Sequence, residues 1–154
     1  MDEDIYLDRY KKEYQDKLAL ELQHRFPTLF PEGFSGGFLC PPGWIELVER
    51  TCVSLEKYLE TRPDRESDIW YVKEKYGGLR IGALVKDEEF QSILQQAERA
   101  SYKICEQCGE PGVLRYGSWW RTLCEQHAEG RLPQVEHFEG DEELHSWAKN
   151  WKGF

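Results

Sequence analysis

The chain has 154 residues, with 20 Lys and Arg against 29 Asp and Glu, giving a formal net charge of −9 at neutral pH. That balance counts against general affinity for nucleic acid, which is driven by Lys and Arg, though it leaves room for a local basic patch. An aromatic share of 14% is too high for a disordered acidic chain, and no run approaches the roughly 18–20 apolar residues of a membrane helix. The acidic opening Met1-Asp2-Glu3-Asp4 reads as neither a secretory signal nor a transit peptide.

Residues 4–24 read as one helix. Leu7, Tyr10, Tyr14, Leu18 and Leu22 recur at three- to four-residue spacing and form an apolar stripe. The stretch 27–43 is rich in Pro and Gly and reads as a long loop. Phe26, Phe30, Phe34 and Phe38 punctuate it and are expected to pin it to the core. A second helix is predicted from about Trp44 to Leu59, with Trp44, Leu47, Val48, Cys52, Leu55 and Leu59 on one face. Arg62-Pro63-Asp64 ends it.

Residues 68–85 read as a β-hairpin around Gly77-Gly78, a pair that supplies the positive φ angles of a two-residue turn. That turn sets Tyr76 against Leu79, Glu74 against Ile81, Val72 against Ala83 and Trp70 against Val85 on one face, apolar apart from Glu74. The other face carries Lys73, Lys75 and Arg80, with Lys75 opposite Arg80. Like charges facing across a strand pair are unfavourable. An anionic group is therefore expected nearby, either a carboxylate of this chain or a ligand. Asp87 reads as the N-cap of a third helix, about 88–103, whose buried face is Phe90, Ile93, Leu94, Ala97 and Ser101.

Cys105-x-x-Cys108, a gap of 15 residues, and then Cys124-x-x-His127 carry the strongest chemical signal. Each short pair can place two ligands on one turn, and two such turns complete a tetrahedron around Zn²⁺. Between them, Val113–Tyr116 and Trp119–Thr122 can pair across Gly117-Ser118 and return Cys124 to Cys105, as in a zinc ribbon. Four ligands fill the shell, and a catalytic zinc commonly keeps an open position, so one structural zinc per chain is expected. There is no His-Glu-x-x-His and no deaminase-type His-x-Glu. His24, His137 and His145 read as surface or packing residues. Of the remaining thiols, Cys52 is expected to be buried, and a Cys40–Cys52 disulfide is disfavoured because Cys52 lies more than two turns along a helix that begins near Trp44, roughly 12 Å up its axis. A reactive Cys40 is the other reading of that residue.

Residues 132–154 form an acidic aromatic tail, with Glu136, Glu139, Asp141, Glu142 and Glu143 followed by Trp147, Trp151 and Phe154. A short helix over about 141–151 is expected there. The whole reads as an α+β domain: a helical and hairpin core (1–103) packed on a small antiparallel sheet, a zinc-ribbon segment (104–131) and the tail (132–154).

Four blocks together resemble a functionally uncharacterised family of small bacterial, prophage and phage proteins. They are Gly43-Trp44-Ile45-x-Leu47-Val48, Val72-Lys73-Glu74-Lys75-Tyr76-Gly77-Gly78-Leu79-Arg80, Ile104-Cys105-Glu106-x-Cys108-Gly109-x-Pro111-Gly112 and Arg121-Thr122-Leu123-Cys124-x-x-His127. The resemblance spans roughly residues 43–128. It implies the helix–hairpin–helix–zinc-ribbon layout and a cytosolic setting, and it brings no activity.

Three functional readings follow. The first is a non-enzymatic accessory protein that docks on a protein with a basic surface. Trp147, Trp151 and Phe154 are its candidate anchors, and Glu139, Asp141, Glu142 and Glu143 steer the encounter. The alternative for these aromatics is that they fold back onto the core. A phage origin would make the partner a host enzyme or defence complex. The second reading is a zinc-ribbon nucleic-acid binder, with Tyr116, Trp119 and Trp120 stacking on bases and Arg115, Arg121, Lys73, Lys75 and Arg80 gripping phosphates. The third is an enzyme using Lys73, Glu74, Lys75 and Arg80. Asp68 with Lys73-Glu74-Lys75 has the composition of a nuclease strand, but Lys stands where a carboxylate should be.

Overall fold

The computed structural model describes residues 3–62, 69–85, 87–117 and 119–133. Its elements are α1 (Glu3–Tyr10), α2 (Lys12–Arg25), β1 (Phe38–Leu39), α3 (Ile45–Glu60), β2 (Ile69–Lys75), β3 (Gly78–Ala83), α4 (Glu88–Ser101), β4 (Val113–Arg115) and β5 (Arg121–Leu123). The fold is α+β: four helices, one three-stranded sheet in the order β1-β2-β3, and a separate β4-β5 hairpin among the described residues. The stop at Pro63-Asp64, the hairpin's start at Asp68 and the tail beyond Pro133, with its expected helix and with His137 and His145, lie outside the described residues.

The periodic helices follow the sequence closely. In α3 the face Leu47, Val48, Cys52, Leu55 and Leu59 is buried, with Trp44 just ahead of it. In α4 Phe90, Leu94, Ala97, Ala100 and Ser101 are buried, and the Asp87 carboxylate accepts from the Glu89 and Phe90 amides at 2.9 and 3.3 Å. The helix stops at Ser101 rather than 103, because the Ser101 hydroxyl accepts from the Leu79 amide at 2.8 Å and ties the helix end to the outer edge of β3.

The N-terminal helix departs from expectation. It is broken at Lys11, whose backbone is extended, into α1 and α2. The buried residues of α2 are Gln15, Ala19 and Leu22, while Leu7 is half exposed. The break exposes the Arg9 carbonyl, which accepts from Gln15 Nε2 at 2.7 Å. The same carboxamide pairs with both backbone groups of Cys40, donating to its carbonyl at 2.9 Å and accepting from its amide at 2.8 Å. Gln15 thus acts as a one-residue strand partner for the end of β1.

The aromatic loop does what its rings suggest. Phe26, Phe30, Phe34 and Phe38 are all buried, and Phe30, Phe34 and Phe38 form successive ring contacts at 4.7 and 6.3 Å between centroids. Burying a Phe side chain stabilises by about 2–3 kcal/mol, which offsets the entropy of ordering so long a connection. The loop also contributes β1, which pairs in parallel with β2 (Phe38 with Val72, Leu39 with Lys73), so the sheet is mixed and not purely antiparallel.

The β2-β3 register differs from the one a Gly77-Gly78 turn would give. The turn residues are Tyr76 and Gly77, with φ of 53° and 79°, and Gly78 opens β3. Val72 therefore faces Ile81, Glu74 faces Leu79, and Arg80 stands opposite Lys73 instead of Lys75. A left-handed Tyr costs about 1–2 kcal/mol. Two contacts hold it there: the Glu74 carboxylate accepts from the Gly77 amide at 3.3 Å, and the Thr122 hydroxyl donates to the Gly77 carbonyl at 2.6 Å. Gly78 serves close approach instead, since a Cβ there would run into the Tyr102 ring. A register irregularity between Ile69 and Tyr71 keeps Ile69 in the core and turns Trp70 out, where it is 60% exposed.

Among the described residues no helix is long and apolar enough to cross a membrane.

Gln15→Leu should leave the buried Cys40 amide and carbonyl and the Arg9 carbonyl without their partner. A loss on the order of 3 kcal/mol in urea unfolding is expected, well above that of a surface substitution.

Candidate metal centre

Two knuckles carry the site. In the first, the Gly109 amide donates to the Cys105 carbonyl at 2.8 Å and the Cys105 amide to the Glu110 carbonyl at 2.7 Å. Gly109 adopts φ +82°, which lets the chain reverse between Cys108 and Pro111. In the second, the His127 amide donates to the Cys124 carbonyl at 3.2 Å as residues Glu125–His127 make a 3-10 turn. The β4-β5 hairpin brings the two together, pairing Val113 with Leu123 and Arg115 with Arg121. Its strands are shorter than the sequence suggests. Trp119 and Trp120 sit in the connection, because Thr122 and Leu123 occupy the fully buried positions of β5.

Cys105, Cys108, Cys124 and His127 place one ligand atom each within 4.8 Å of one another, and this group can hold one metal ion. The Cys108 and Cys124 sulfurs are 3.8 Å apart. That is far beyond a disulfide bond of about 2.05 Å, and it equals the edge of about 3.8 Å expected of a tetrahedron with metal–sulfur distances near 2.3 Å. His127 presents Nδ1 to the Cys124 sulfur at 3.2 Å and to the Cys105 sulfur at 3.9 Å. Burial, with the Cys105 and Cys124 thiols beside it, pushes the Cys108 thiol up to about 12. Burial also opposes ionisation of Cys124, but hydrogen bonds from the His127 amide, the Cys105 and Cys108 thiols and the Gln126 amide outweigh it and hold that thiol below its usual value. A cation held by these residues would remove the remaining barrier, since a coordinating thiol is deprotonated outright.

Each knuckle is clamped by an arginine. Arg121 donates from Nε to the buried Glu106 carboxylate at 2.9 Å and pairs with Glu129 at 3.3 Å. Burial pushes Glu106 up to about 7 although Arg121 pulls it down. Arg115 is itself buried and donates to the Leu123 carbonyl at 3.0 Å, the Arg131 carbonyl at 3.2 Å and the Glu125 carboxylate at 3.0 Å. Neither arginine is therefore presented for gripping phosphates, as the nucleic-acid reading requires.

Three contacts seat the segment on the core. The Gly43 amide donates to the Glu106 carbonyl at 2.7 Å, Trp44 Nε1 to the Ile104 carbonyl at 2.8 Å, and Thr122 to Gly77 as above. A Cβ at Gly43 would collide with the Cys105 carbonyl and the Glu106 backbone. Spacing alone does not single out Gly43, Glu106 and Thr122, whose one signal is that they fall inside the four motif blocks. Arg115 and Arg121 stand out in the sequence as candidate phosphate contacts, not as braces of the cluster.

The other predicted site residues divide. Arg80 is consumed internally: it pairs with Glu98 at 3.1 Å and donates to the Tyr102 hydroxyl at 2.9 Å. The anion expected near the hairpin is thus, for Arg80, a carboxylate of this chain. Lys73 and Lys75 are exposed, and their ammonium groups lie 4.4 and 5.5 Å from the Tyr71 and Tyr76 ring centroids. Neither has an ion-pair partner among the described residues. Glu74 accepts from a backbone amide and faces Leu79, so Lys73, Glu74, Lys75 and Arg80 do not converge. His24 is exposed, as expected. Cys40 and Cys52 are free and fully buried, and burial pushes both thiols up, which works against a reactive Cys40. The tail residues Glu139, Asp141, Glu142, Glu143, Trp147, Trp151 and Phe154 lie outside the described residues.

Compared with protein-family models, curated proteins and solved structures, the chain finds no match. The site itself defines the class: a small α+β protein with a Cys₃His cluster that could hold a metal ion.

Arg80→Glu should destabilise by roughly 1–2 kcal/mol, because it sets a carboxylate against Glu98 and strands the Tyr102 hydroxyl. Lys73→Glu should change stability by less than about 0.5 kcal/mol. Urea unfolding of the two single variants distinguishes an internal pair from a solvent-facing charge.

Proposed function

We propose that this chain is a non-enzymatic zinc-binding accessory protein that acts by docking on another protein. The observation that carries the reading is the convergence of three thiols and one imidazole within 4.8 Å. Three thiolates and an imidazole in a tetrahedron suit Zn²⁺, and a full set of four protein ligands is the mark of a structural site. The segment has little core of its own, so the ion supplies folding energy.

Elemental analysis of the purified protein should give one zinc per chain. Cys105→Ser or Cys124→Ser should lose the metal and unfold at least residues 104–131. Wild-type protein free of bound metal would refute the zinc assignment.

The partner we infer carries a basic surface. Support comes from the charge of −9 and from the acidic run Glu139, Asp141, Glu142 and Glu143 ahead of Trp147, Trp151 and Phe154. The motif resemblance to phage and prophage proteins favours a bacterial host enzyme or defence complex as that partner, and a cytoplasmic setting. Immobilised wild-type chain should capture one specific protein from host lysate. Capture should fall at least tenfold with Trp147→Ala and Trp151→Ala together. Equal capture by wild type and variant would sink the assignment of these two anchors.

A further inference from the structure

The described surface carries one cationic, aromatic face that nothing in the chain's described part neutralises. Lys73 and Lys75 alternate along β2 and so point to the same side of the sheet, about 6–7 Å apart. Each lies beside an exposed tyrosine. From Lys75 the surface continues through a chain of rings. Tyr76 is 6.5 Å from Trp120, and Trp120 is 5.4 Å from Tyr116, both edge-on. Tyr76 and Trp119 are each 65% exposed and Trp120 41%. Three carboxylates close to this face in the sequence are already engaged: Glu74 with the Gly77 amide, Glu125 with Arg115 and Glu129 with Arg121.

The chain leaves its described part beside this face. The Tyr116 amide donates to the Leu132 carbonyl at 2.9 Å, and Pro133 bridges to Arg115. The sequence then runs on as residues 134–154, with Glu136, Glu139, Asp141, Glu142 and Glu143 before its first lysine at Lys149. An extended chain covers about 3.3 Å per residue, so Glu136 to Glu143 can reach past Tyr116, Trp120 and Tyr76 to both lysines. Phe138 lies within the same stretch and offers a ring to that row.

We propose that the Lys73, Lys75, Tyr76 and Trp120 face is the docking surface for this chain's own acidic stretch, residues 136–143. Two lysines match a short run of carboxylates. They are too few for a strand of phosphates, the arginines that would extend them being tied to Glu106, Glu125 and Glu129. A protein that takes up the acidic stretch must displace it from the lysines, so docking in cis sets a threshold for partner binding. The proposal shares the tail with the partner reading but not its test, which needs no partner: a failed capture leaves it standing, and its own failure leaves the zinc and partner readings untouched.

Zero-length carbodiimide coupling of the full-length chain, followed by peptide mass spectrometry of the monomer, tests it. Cross-links from Lys73 or Lys75 to carboxylates of 136–143 are expected. They should drop at least fivefold near 1 M NaCl, where the screening length is about 3 Å. The Lys12–Asp16 pair, at 2.6 Å, is the positive control in low salt. A second reading uses acetylation of the same lysines. Glu136→Gln, Glu139→Gln, Asp141→Asn, Glu142→Gln and Glu143→Gln combined should raise acetylation of Lys73 and Lys75 at least threefold and leave the exposed Lys57 unchanged. Absence of these cross-links while the control couples overturns the proposal, as do cross-links confined to the dimer, which would assign the face to a second copy. Unchanged acetylation in the neutralised variant overturns it too, as does protection that appears only on adding single-stranded DNA or RNA.

Discussion

The close seating of the first knuckle on the start of α3 is the constraint on which the rest of the molecule depends. The Gly43 amide meets the Glu106 carbonyl at 2.7 Å, a distance that requires the two backbones to touch. A Cβ at Gly43 would end that contact. Because Trp44 follows directly and buries its ring while its Nε1 holds the Ile104 carbonyl, one dipeptide fixes both the core of α3 and the entry to the Cys₃His cluster. Thr122 makes the matching connection at the far end, from β5 to the turn at Gly77. The cluster is therefore not an appendage on a tether. It is fastened to a helix start on one side and a hairpin tip on the other, so a distortion of the cluster would be transmitted to both.

This seating also explains which features could be read in advance. The faces of α3 and α4 and the clustering of Cys105, Cys108, Cys124 and His127 follow from spacing, since helical period and the spacing of the Cys and His pairs are local properties of the chain. The β2-β3 register is not local. Gly77-Gly78 is a good turn by composition, yet the turn falls one residue earlier, on Tyr76-Gly77, and pairs Lys73 instead of Lys75 with Arg80. What decides it is the Thr122 hydroxyl on the Gly77 carbonyl and the Tyr102 ring over Gly78, groups 45 and 24 residues away. Gln15 was hidden for the same reason. It stands in the middle of an amphipathic helix pattern, and its partners at Cys40 lie 25 residues on. A buried amide among apolar positions leaves no periodic trace; only the tertiary neighbour reveals it.

The distribution of cations carries the same logic to the surface. Arg80, Arg115 and Arg121 all turn inward or sideways to a fixed carboxylate or carbonyl, whereas the two lysines of β2 face solvent. Guanidinium is weakly hydrated and forks its donors, so it can hold several acceptors at once while partly desolvated. Arg115 does this with two carbonyls and Glu125. Removing Arg121 would leave Glu106 buried without its cation, a loss of about 3–5 kcal/mol by the usual behaviour of broken buried pairs. Ammonium is a strongly hydrated point charge, suited to exchange between water and a mobile anion. An acidic chain that braces the cluster with Arg115 and Arg121 and leaves the β2 lysines outside has separated two tasks: fixed internal pairs that shape the cluster, and reversible external ones that can be traded for an anionic segment.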